Sequence, residues 1–179
     1  MEKLSFKFDF AKALEALLYV ASNAPIPDRF HLCKILYFAD RFHLEKYLRF
    51  IYGETYVAMR HGPVPSKAFN IMRSTPDEEP RDIFADDFLV VGRRAPNMEV
   101  FSESDVEALD WAIRTYGKKT VSALRRISHN DTVWKSLTDD GDVFENILAP
   151  QSIPMPVIDI VKDVQDGELL LEYLYEYNC

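Results

Sequence analysis

Apolar residues cover almost the whole circumference of one long predicted helix, which has Pro27 at its first position. When its residues are placed at about 100° intervals, the charged side chains share one narrow stripe. That stripe consists of Lys34, Arg41 and Glu45. The opposite side is apolar but includes His43, with Asp40 on its flank. A helix with this pattern is buried by its neighbours, so we expect it to be the central helix of the fold.

Asp40 and His43 lie three positions apart and therefore close together on the helix surface. A buried acid is costly unless it is paired and hydrogen-bonded. The partners expected for Asp40 are His43 and the Arg60–His61 pair from the next element. We interpret Asp40 and His43 as a structural polar pin that fixes how the helix and the following turn meet. Catalysis is the less favoured alternative.

Shorter helices are predicted on both sides of the central helix. Regularly spaced apolar residues indicate a first helix from Phe8 to Asn23. Ser104 and Glu107 form a capping-box pattern, which predicts a helix that Gly117 closes. Further helices are expected at Ser66 to Ser74, at Thr120 to Ser128, around Trp134, and at Glu168 to Tyr177.

Strand-like segments are few and short. Tyr56 to Arg60 is predicted to be a strand. The Gly62-Pro63-Val64-Pro65 segment is predicted to be a stiff turn, because each proline fixes its own backbone and restricts the preceding residue. A β-hairpin is expected from Phe88–Val91 and Met98–Phe101, with Arg93 and Arg94 at its tip. The segments 75–80 and 150–156 are predicted to be a loop and a linker.

The composition is typical of a globular chain. Of 179 residues, 47% are hydrophobic and 13% aromatic, which excludes a disordered polymer. We predict a predominantly α-helical α+β fold, a compact helical domain with a short strand and a small antiparallel β-hairpin. The length suits a single domain over residues 1–179. No apolar run reaches membrane-spanning length and no signal peptide is recognisable, so we expect a cytoplasmic protein without membrane contact.

The formal net charge of −8 is concentrated near the C-terminus. Between residues 139 and 179, ten acidic residues are opposed by Lys162 alone. The predicted helical segment 157–179 is therefore acidic, which favours basic partners and disfavours nucleic acid. A solvated surface that keeps the protein in solution is the plainer interpretation. Tyr173, Leu174 and Tyr175 are consecutive and cannot share one helix face, so we expect one apolar side of the last helix to stay exposed.

Signals for catalysis are weak. Three histidines and three acids have donor atoms that suit a metal ion: His43, His61, His129, Asp40, Glu54 and Asp131. Their spacing supports no metal site, and the chain has neither a CxxC pair nor a glycine-rich phosphate loop. We expect no metal and no cofactor. A metal-dependent hydrolase that uses this cluster is the least favoured function.

Three blocks of sequence, in order, resemble the Panacea domain, also called the SocA-like antitoxin domain. The first block contains KILYFAD from residue 34, GETYVAM from residue 53 and HGPVPS from residue 61. The second contains Ser104 to Leu109 and Tyr116-Gly117, and the third runs from Leu124 to Trp134. The resemblance covers roughly residues 8 to 135.

The resemblance implies a mostly helical domain of bacteria and their phages. Members of this family act as antitoxins that bind and neutralise a protein toxin, and the family implies no catalytic residues. We therefore do not expect an enzyme. Many members are joined to a DNA-binding module, which we do not expect here, and direct nucleic-acid binding is not expected either.

We predict that the partner is a basic protein toxin. The predicted partner-binding residues lie in the strand and turn and in the last helix: Tyr56, Arg60, His61, Pro63, Val64, Ser66, Glu172, Tyr173 and Glu176. The alternative is a phage- or host-encoded interaction or inhibitor protein of the same fold whose partner is not a toxin.

Overall fold

The chain folds into helices with a few short strands. The computed structural model describes residues 4–73, 82–86, 89–146, 148 and 150–177. Within them lie eight α-helices: α1 (Phe10–Asn23), α2 (Arg29–Tyr47), α3 (Ser66–Arg73), α4 (Glu103–Tyr116), α5 (Val121–Ser128), α6 (Thr132–Thr138), α7 (Val157–Lys162) and α8 (Gly167–Tyr177). The described strands are β1 (Tyr56–Met59), β2 (Gly62–Pro65), β3 (Ile83–Ala85), β4 (Val90–Gly92) and β5 (Ile153–Met155). The predicted fold class, α+β and mostly helical, is confirmed.

Helix α2 lies at the centre of the fold, as its apolar pattern predicts. It packs against α1, α3, α4 and α5, and most of its residues are buried. Lys34 shares the charged stripe of the helix with Arg41 and Glu45, yet only 1% of it is exposed. Its ammonium group finds an acceptor inside the protein, the carbonyl oxygen of Pro63, at 2.7 Å.

Aspartate caps set the starts of the first two helices. Asp9 caps α1, which begins at Phe10 and not at the predicted Phe8. Asp28 caps α2, so Pro27 lies before the helix and not at its first position. A carboxylate at the cap accepts a backbone N–H of the first turn that has no partner within the helix, which explains both boundaries.

The start of α4 also differs from the prediction. Ser102 and Asp105 form the capping box, each side chain accepting the backbone N–H of the other residue. The predicted pair, Ser104 and Glu107, lies two positions further along and makes other contacts. The predicted helices at α5, α6 and α8 are confirmed. The predicted loop 75–80 and the last residue of the predicted third helix, Ser74, lie outside the described residues.

A three-stranded antiparallel sheet has the order β2-β1-β5. Tyr56 on β1 pairs with Pro65 on one side and with Met155 on the other. The predicted stiff turn is therefore an edge strand, β2, which tolerates proline because its outer N–H groups need no partner strand. The predicted linker 150–156 likewise contains a strand, β5, because it pairs with the exposed edge of β1.

The second hairpin uses other segments than those predicted. Strand β4 pairs with β3, whereas the predicted partner segment contains a 3₁₀ turn at Met98–Val100. The side chain of Asn97 accepts the N–H of Glu99 and caps that turn, which explains why the chain is not extended there. Arg94 does not lie at an exposed hairpin tip without partners, since its guanidinium donates to Glu15 at 2.6 Å and to Asp82 at 3.0 Å. Phe88 lies outside the described residues.

The C-terminal helices share a hydrophobic cluster with the central helix. Buried residues of α7 and α8 pack with residues of α2 and α6: Ile160, Val161, Leu170, Leu171 and Leu174 with Tyr37, Leu44, Val133 and Trp134. A second cluster joins α1, α2 and α4. Helix α2 contributes to both clusters. Among the described helices, none combines the length and apolar character that a membrane span requires.

A buried acid connects strand β1 to helix α3. The carboxylate of Glu54, 1% exposed, accepts backbone N–H groups from Thr55 at 2.8 Å, Lys67 at 3.0 Å and Ala68 at 2.9 Å. The last two belong to the first turn of α3, where N–H groups have no partner within the helix. Glu54 thus fixes the start of α3 against the sheet.

Replacing Glu54 with Gln should destabilise the fold. The amide has one acceptor oxygen in place of two and turns an N–H group toward backbone donors, so we expect a loss of about 1–3 kcal/mol in the free energy of unfolding. Urea denaturation followed by circular dichroism measures this loss. The control is Glu45→Gln, at an exposed position of α2. A loss no larger than that of the control would show that Glu54 does not fix α3.

Candidate functional site

Asp40 is buried, and both oxygens of its carboxylate are engaged. Oδ1 accepts the N–H of Ile51 at 2.8 Å, and Oδ2 accepts the hydroxyl of Tyr56 at 2.6 Å. The predicted partners, His43 and the Arg60–His61 pair, are wrong. Both oxygens are occupied instead by Ile51, in the segment between α2 and β1, and by Tyr56, at the start of β1. Burial raises the pKa of Asp40 to about 7, against the opposing effect of the hydrogen bonds from Tyr56 and Ile51.

His43 belongs to a different buried network. Its Nδ1 lies 2.8 Å from the carbonyl oxygen of Arg49, and its Nε2 lies 3.0 Å from Oγ of Ser104. Burial lowers the pKa of His43, which favours the neutral ring, and Nδ1 then donates to the carbonyl. Nε2 also lies 3.3 Å from buried Asp105, which pairs with Lys12 at 2.6 Å. His43 thus connects α2 to α4, whereas Asp40 connects it to β1.

The buried side chain of Lys34 makes a contact with β2 that was not predicted from the sequence. Its Nζ donates to the Pro63 carbonyl in β2, and burial lowers its pKa to about 8. Gly62 lies next to it with φ +99°, and a Cβ there would lie 2.9 Å from that Nζ and 2.4 Å from Oγ of Ser128. Both the backbone angle and the close approach require glycine. A signal existed in the sequence, since Lys34 is the one charged residue between positions 32 and 39.

The tip of the β1–β2 hairpin is basic and exposed. Arg60 lies 3.5 Å from Glu145 and donates to the carbonyl of Phe144. Behind the tip, His129 lies 3.2 Å from the Arg60 carbonyl and stacks on Trp134, with ring centroids 4.0 Å apart. The pKa of His61 is lowered by partial burial and by nearby Arg125, Lys34 and Arg60.

Two of the predicted partner-binding residues are in the interior. Tyr56 is 2% exposed, because its hydroxyl bonds to Asp40, and Pro63 is buried against Lys34. Assigning them to a partner surface was therefore wrong. Val64 and Ser66 are half-buried, whereas Arg60 and His61 are exposed.

One face of helix α8 is exposed and mixes acidic with apolar side chains. Glu168, Glu172 and Glu176 follow one another at intervals of four residues, and so do Leu169 and Tyr173. Leu169 is 66% exposed and Tyr173 is 46% exposed, whereas Leu170, Leu171 and Leu174 face the core. The sequence therefore correctly predicted a side of this helix that the core does not cover.

The histidines and acids considered for a metal site have other roles in the fold. Asp131 caps α6 and accepts the Tyr37 hydroxyl, and Glu54 caps α3. Among the residues that the structure describes, no group of three His, Cys, Asp or Glu side chains is placed to hold a metal ion.

A groove of about 860 Å³ lies between α2, α4, the turn that joins α5 to α6, and the connection between α7 and α8. Two stacked ring pairs line it, Phe38 on Tyr116 with centroids 4.2 Å apart and Phe42 on Trp111 at 4.6 Å. This groove was not predicted from the sequence, because its walls come from segments that are distant along the chain. The spacing of Phe38 and Phe42, four positions apart on α2, is the signal that indicates it.

Residues 32–135 match a known protein family, antitoxin SocA-like, Panacea domain. The chain belongs to this family. The resemblance seen in the sequence blocks is confirmed, and the family indicates a role in a toxin–antitoxin system. No curated protein and no solved structure matches the chain.

The matched part of this Panacea domain begins in α2 and ends in α6. It therefore contains the networks of Lys34, Asp40 and His43 together with the β1–β2 hairpin. Helices α7 and α8 lie beyond it, although they complete the hydrophobic core and the connection between them lines the groove. The structure of this chain thus combines the residues that match the family with α1 before them and with α7 and α8 after them.

Replacing Asp40 with Asn should change how the stability of the Panacea domain depends on pH. The pKa of Asp40 is about 7 in the folded protein, above the value of about 4 for an unfolded chain. The stabilisation that the Asp40 carboxyl contributes is therefore complete below pH ~4. It decreases by about 1.4 kcal/mol per pH unit between pH ~4 and ~7, and it is lost once the pH has risen through ~7. The free energy of unfolding of the wild type minus that of Asp40→Asn should therefore decrease by roughly 2–3 kcal/mol from pH ~5 to ~7.

Urea unfolding at each pH measures this difference. Asp142→Asn is the matched control, since Asp142 is exposed, and its difference from wild type should stay nearly constant over the same range. A constant difference for Asp40→Asn as well would mean that the pKa of Asp40 is not raised in the folded protein.

Proposed function

We propose that this Panacea domain is an antitoxin that neutralises a basic protein toxin by binding it directly in the cytoplasm. Family membership over residues 32–135 carries the proposal. The domain is proposed to act without a cofactor, without catalysis and without direct contact to nucleic acid. The acidic segment 157–179 is proposed to belong to the same single domain, residues 1–179.

The exposed face of α8 supports a protein partner. Leu169 and Tyr173 present apolar surface, and exposed apolar patches with a polar border are typical of interaction sites. Tyrosine is frequent among the residues that dominate binding energy. Glu172 and Glu176 lie beside this apolar row and favour a basic partner, since complementary charge accelerates association.

The hairpin is the second proposed contact, limited to its accessible residues. Arg60 and His61 are exposed at the tip, and Val64 and Ser66 are half-buried on the following strand and helix start. The hairpin is held from beneath by Lys34, so it presents these residues with little loss of conformational freedom on binding.

A growth assay tests the proposal. Each immediate genomic neighbour is expressed with and without this chain, and co-purification is measured for any pair that restores growth. We expect one neighbour to be toxic alone, to be neutralised by this chain and to form a stable complex with it. No toxic neighbour, or rescue without a complex, would contradict neutralisation by direct binding. A stable complex with a harmless neighbour would instead support the non-toxin interaction protein.

Charge reversal on α8 tests the surface. Glu172→Lys with Glu176→Lys should raise the dissociation constant of the complex about three- to thirtyfold at low salt and less at high salt, because it replaces attraction by repulsion. Glu103→Lys with Asp142→Lys changes the net charge equally at exposed positions off this face. Equal effects of the two pairs would show that overall charge, not this face, governs binding.

A further inference from the structure

The walls of the aromatic groove come from separate parts of the fold. Helix α2 supplies Phe38 and Phe42, and helix α4 supplies Trp111 and Tyr116. The turn between α5 and α6 and the connection between α7 and α8 complete the lining. Trp111 also meets Tyr116 edge to face, with centroids 5.6 Å apart. A volume of about 860 Å³ falls within the range of about 300–1,000 Å³ that is typical of ligand pockets.

The charged groups that line the groove are predominantly acidic. Four carboxylates stand against two cations: Glu45, Asp131, Asp163 and Asp166 against Arg41 and Lys46. Both cations are already paired within the protein, Arg41 with Asp163 at 2.7 Å and Lys46 with Glu107 at 2.5 Å. The groove therefore has a surplus of negative charge.

Two of these carboxylates are unpaired. Glu45 on α2 and Asp166 before α8 are exposed, and within the described part of the chain neither side chain makes a hydrogen bond or ion pair. The ring faces attract cations as well, since the ammonium group of Lys46 lies over Phe42, 5.5 Å from its centroid. Aromatic faces together with unpaired carboxylates suit a side chain with an apolar stem and a cationic head, such as arginine or lysine.

We infer that this groove binds a basic segment of the partner protein, inserting an arginine or lysine side chain between the ring pairs and the carboxylates of Glu45 and Asp166. That the segment belongs to a toxin rests on the proposed function. Of the two unpaired acceptors, Glu45 lies within the residues that match the family, 32–135, and Asp166 lies beyond them. The C-terminal segment therefore contributes one of the two acceptors that select for positive charge.

The two tryptophans allow the groove to be tested without knowing the partner. Trp111 lines the groove, whereas Trp134 is fully buried and its indole N–H donates to the Met59 carbonyl at 2.9 Å. The indole N–H signals of the ¹⁵N-labelled full chain are followed while acetyl-Leu-Arg-Leu-amide is added. The same tripeptide with citrulline, the neutral isostere of arginine, or with glutamate at the centre serves as the matched probe.

We expect the arginine tripeptide to shift the Trp111 signal in a saturable way at millimolar concentration and to leave the Trp134 signal unchanged. The citrulline and glutamate tripeptides should bind at least several-fold more weakly. No shift at Trp111, or equal binding of the citrulline tripeptide, would overturn the inference.

A pair of substitutions measures the contribution of the two carboxylates to binding separately from that of the aromatic rings. Glu45→Gln with Asp166→Asn should weaken the arginine tripeptide about two- to tenfold, as expected for exposed ion pairs. Asparagine suits the left-handed backbone of Asp166, φ 55°, so this variant should fold. Glu103→Gln with Asp142→Asn, which removes two charges outside the groove, should change nothing. Equal weakening by both pairs would overturn the role of Glu45 and Asp166.

The tripeptide assay uses this chain alone, so its result is independent of whether a toxin is found. If a neutralised toxin is found, the Glu45→Gln and Asp166→Asn variant should also weaken the complex with that toxin. Unchanged affinity for the toxin alongside weakened tripeptide binding would overturn the assignment of the groove to a toxin segment, while the proposed antitoxin function would stand.

Discussion

Most of helix α2 is buried, so each polar group on its buried faces has to be satisfied inside the protein. Lys34, Asp40 and His43 are at most 1% exposed, and each bonds to a different neighbour: the carbonyl of Pro63, the segment that enters β1, and the start of α4. A buried polar group without a partner costs about 1–3 kcal/mol. These three contacts therefore determine where the hairpin and α4 lie on the central helix.

The same constraint decides which residues remain available for a partner. Because the hairpin is held from beneath, Tyr56 and Pro63 are used by the interior, and only its tip and its outer side are accessible. The larger accessible surfaces lie elsewhere, on α8 and in the aromatic groove beside α2. Both involve the C-terminal segment, which packs on the same hydrophobic cluster as the central helix.

Much of the helical architecture could be predicted from local patterns. The periodicity that predicts α2 also explains its central position, and α8 covers the helix that was predicted at Glu168 to Tyr177. The errors in the strands and in the buried polar contacts share one cause, which is that the deciding partner is distant in the sequence. The errors at the starts of α1, α2 and α4 instead concern caps close to each helix. The proline-rich segments became strands because β1 offers them an edge, and Met98 became part of a 3₁₀ turn because Ile83–Ala85 already pairs with β4.

The sequence by itself determined the helical fold class, the buried central helix, the acidic C-terminus and the family, because each depends on residues close together along the chain or on the composition. The tertiary structure alone decided which polar partners the buried groups have. It placed Lys34 beneath the hairpin and gave Asp40 to Tyr56 rather than to His43. It also assembled the groove from α2, α4 and the α7–α8 connection. Helical periodicity shows which residues are buried together, but the choice among many possible partners depends on how distant segments pack.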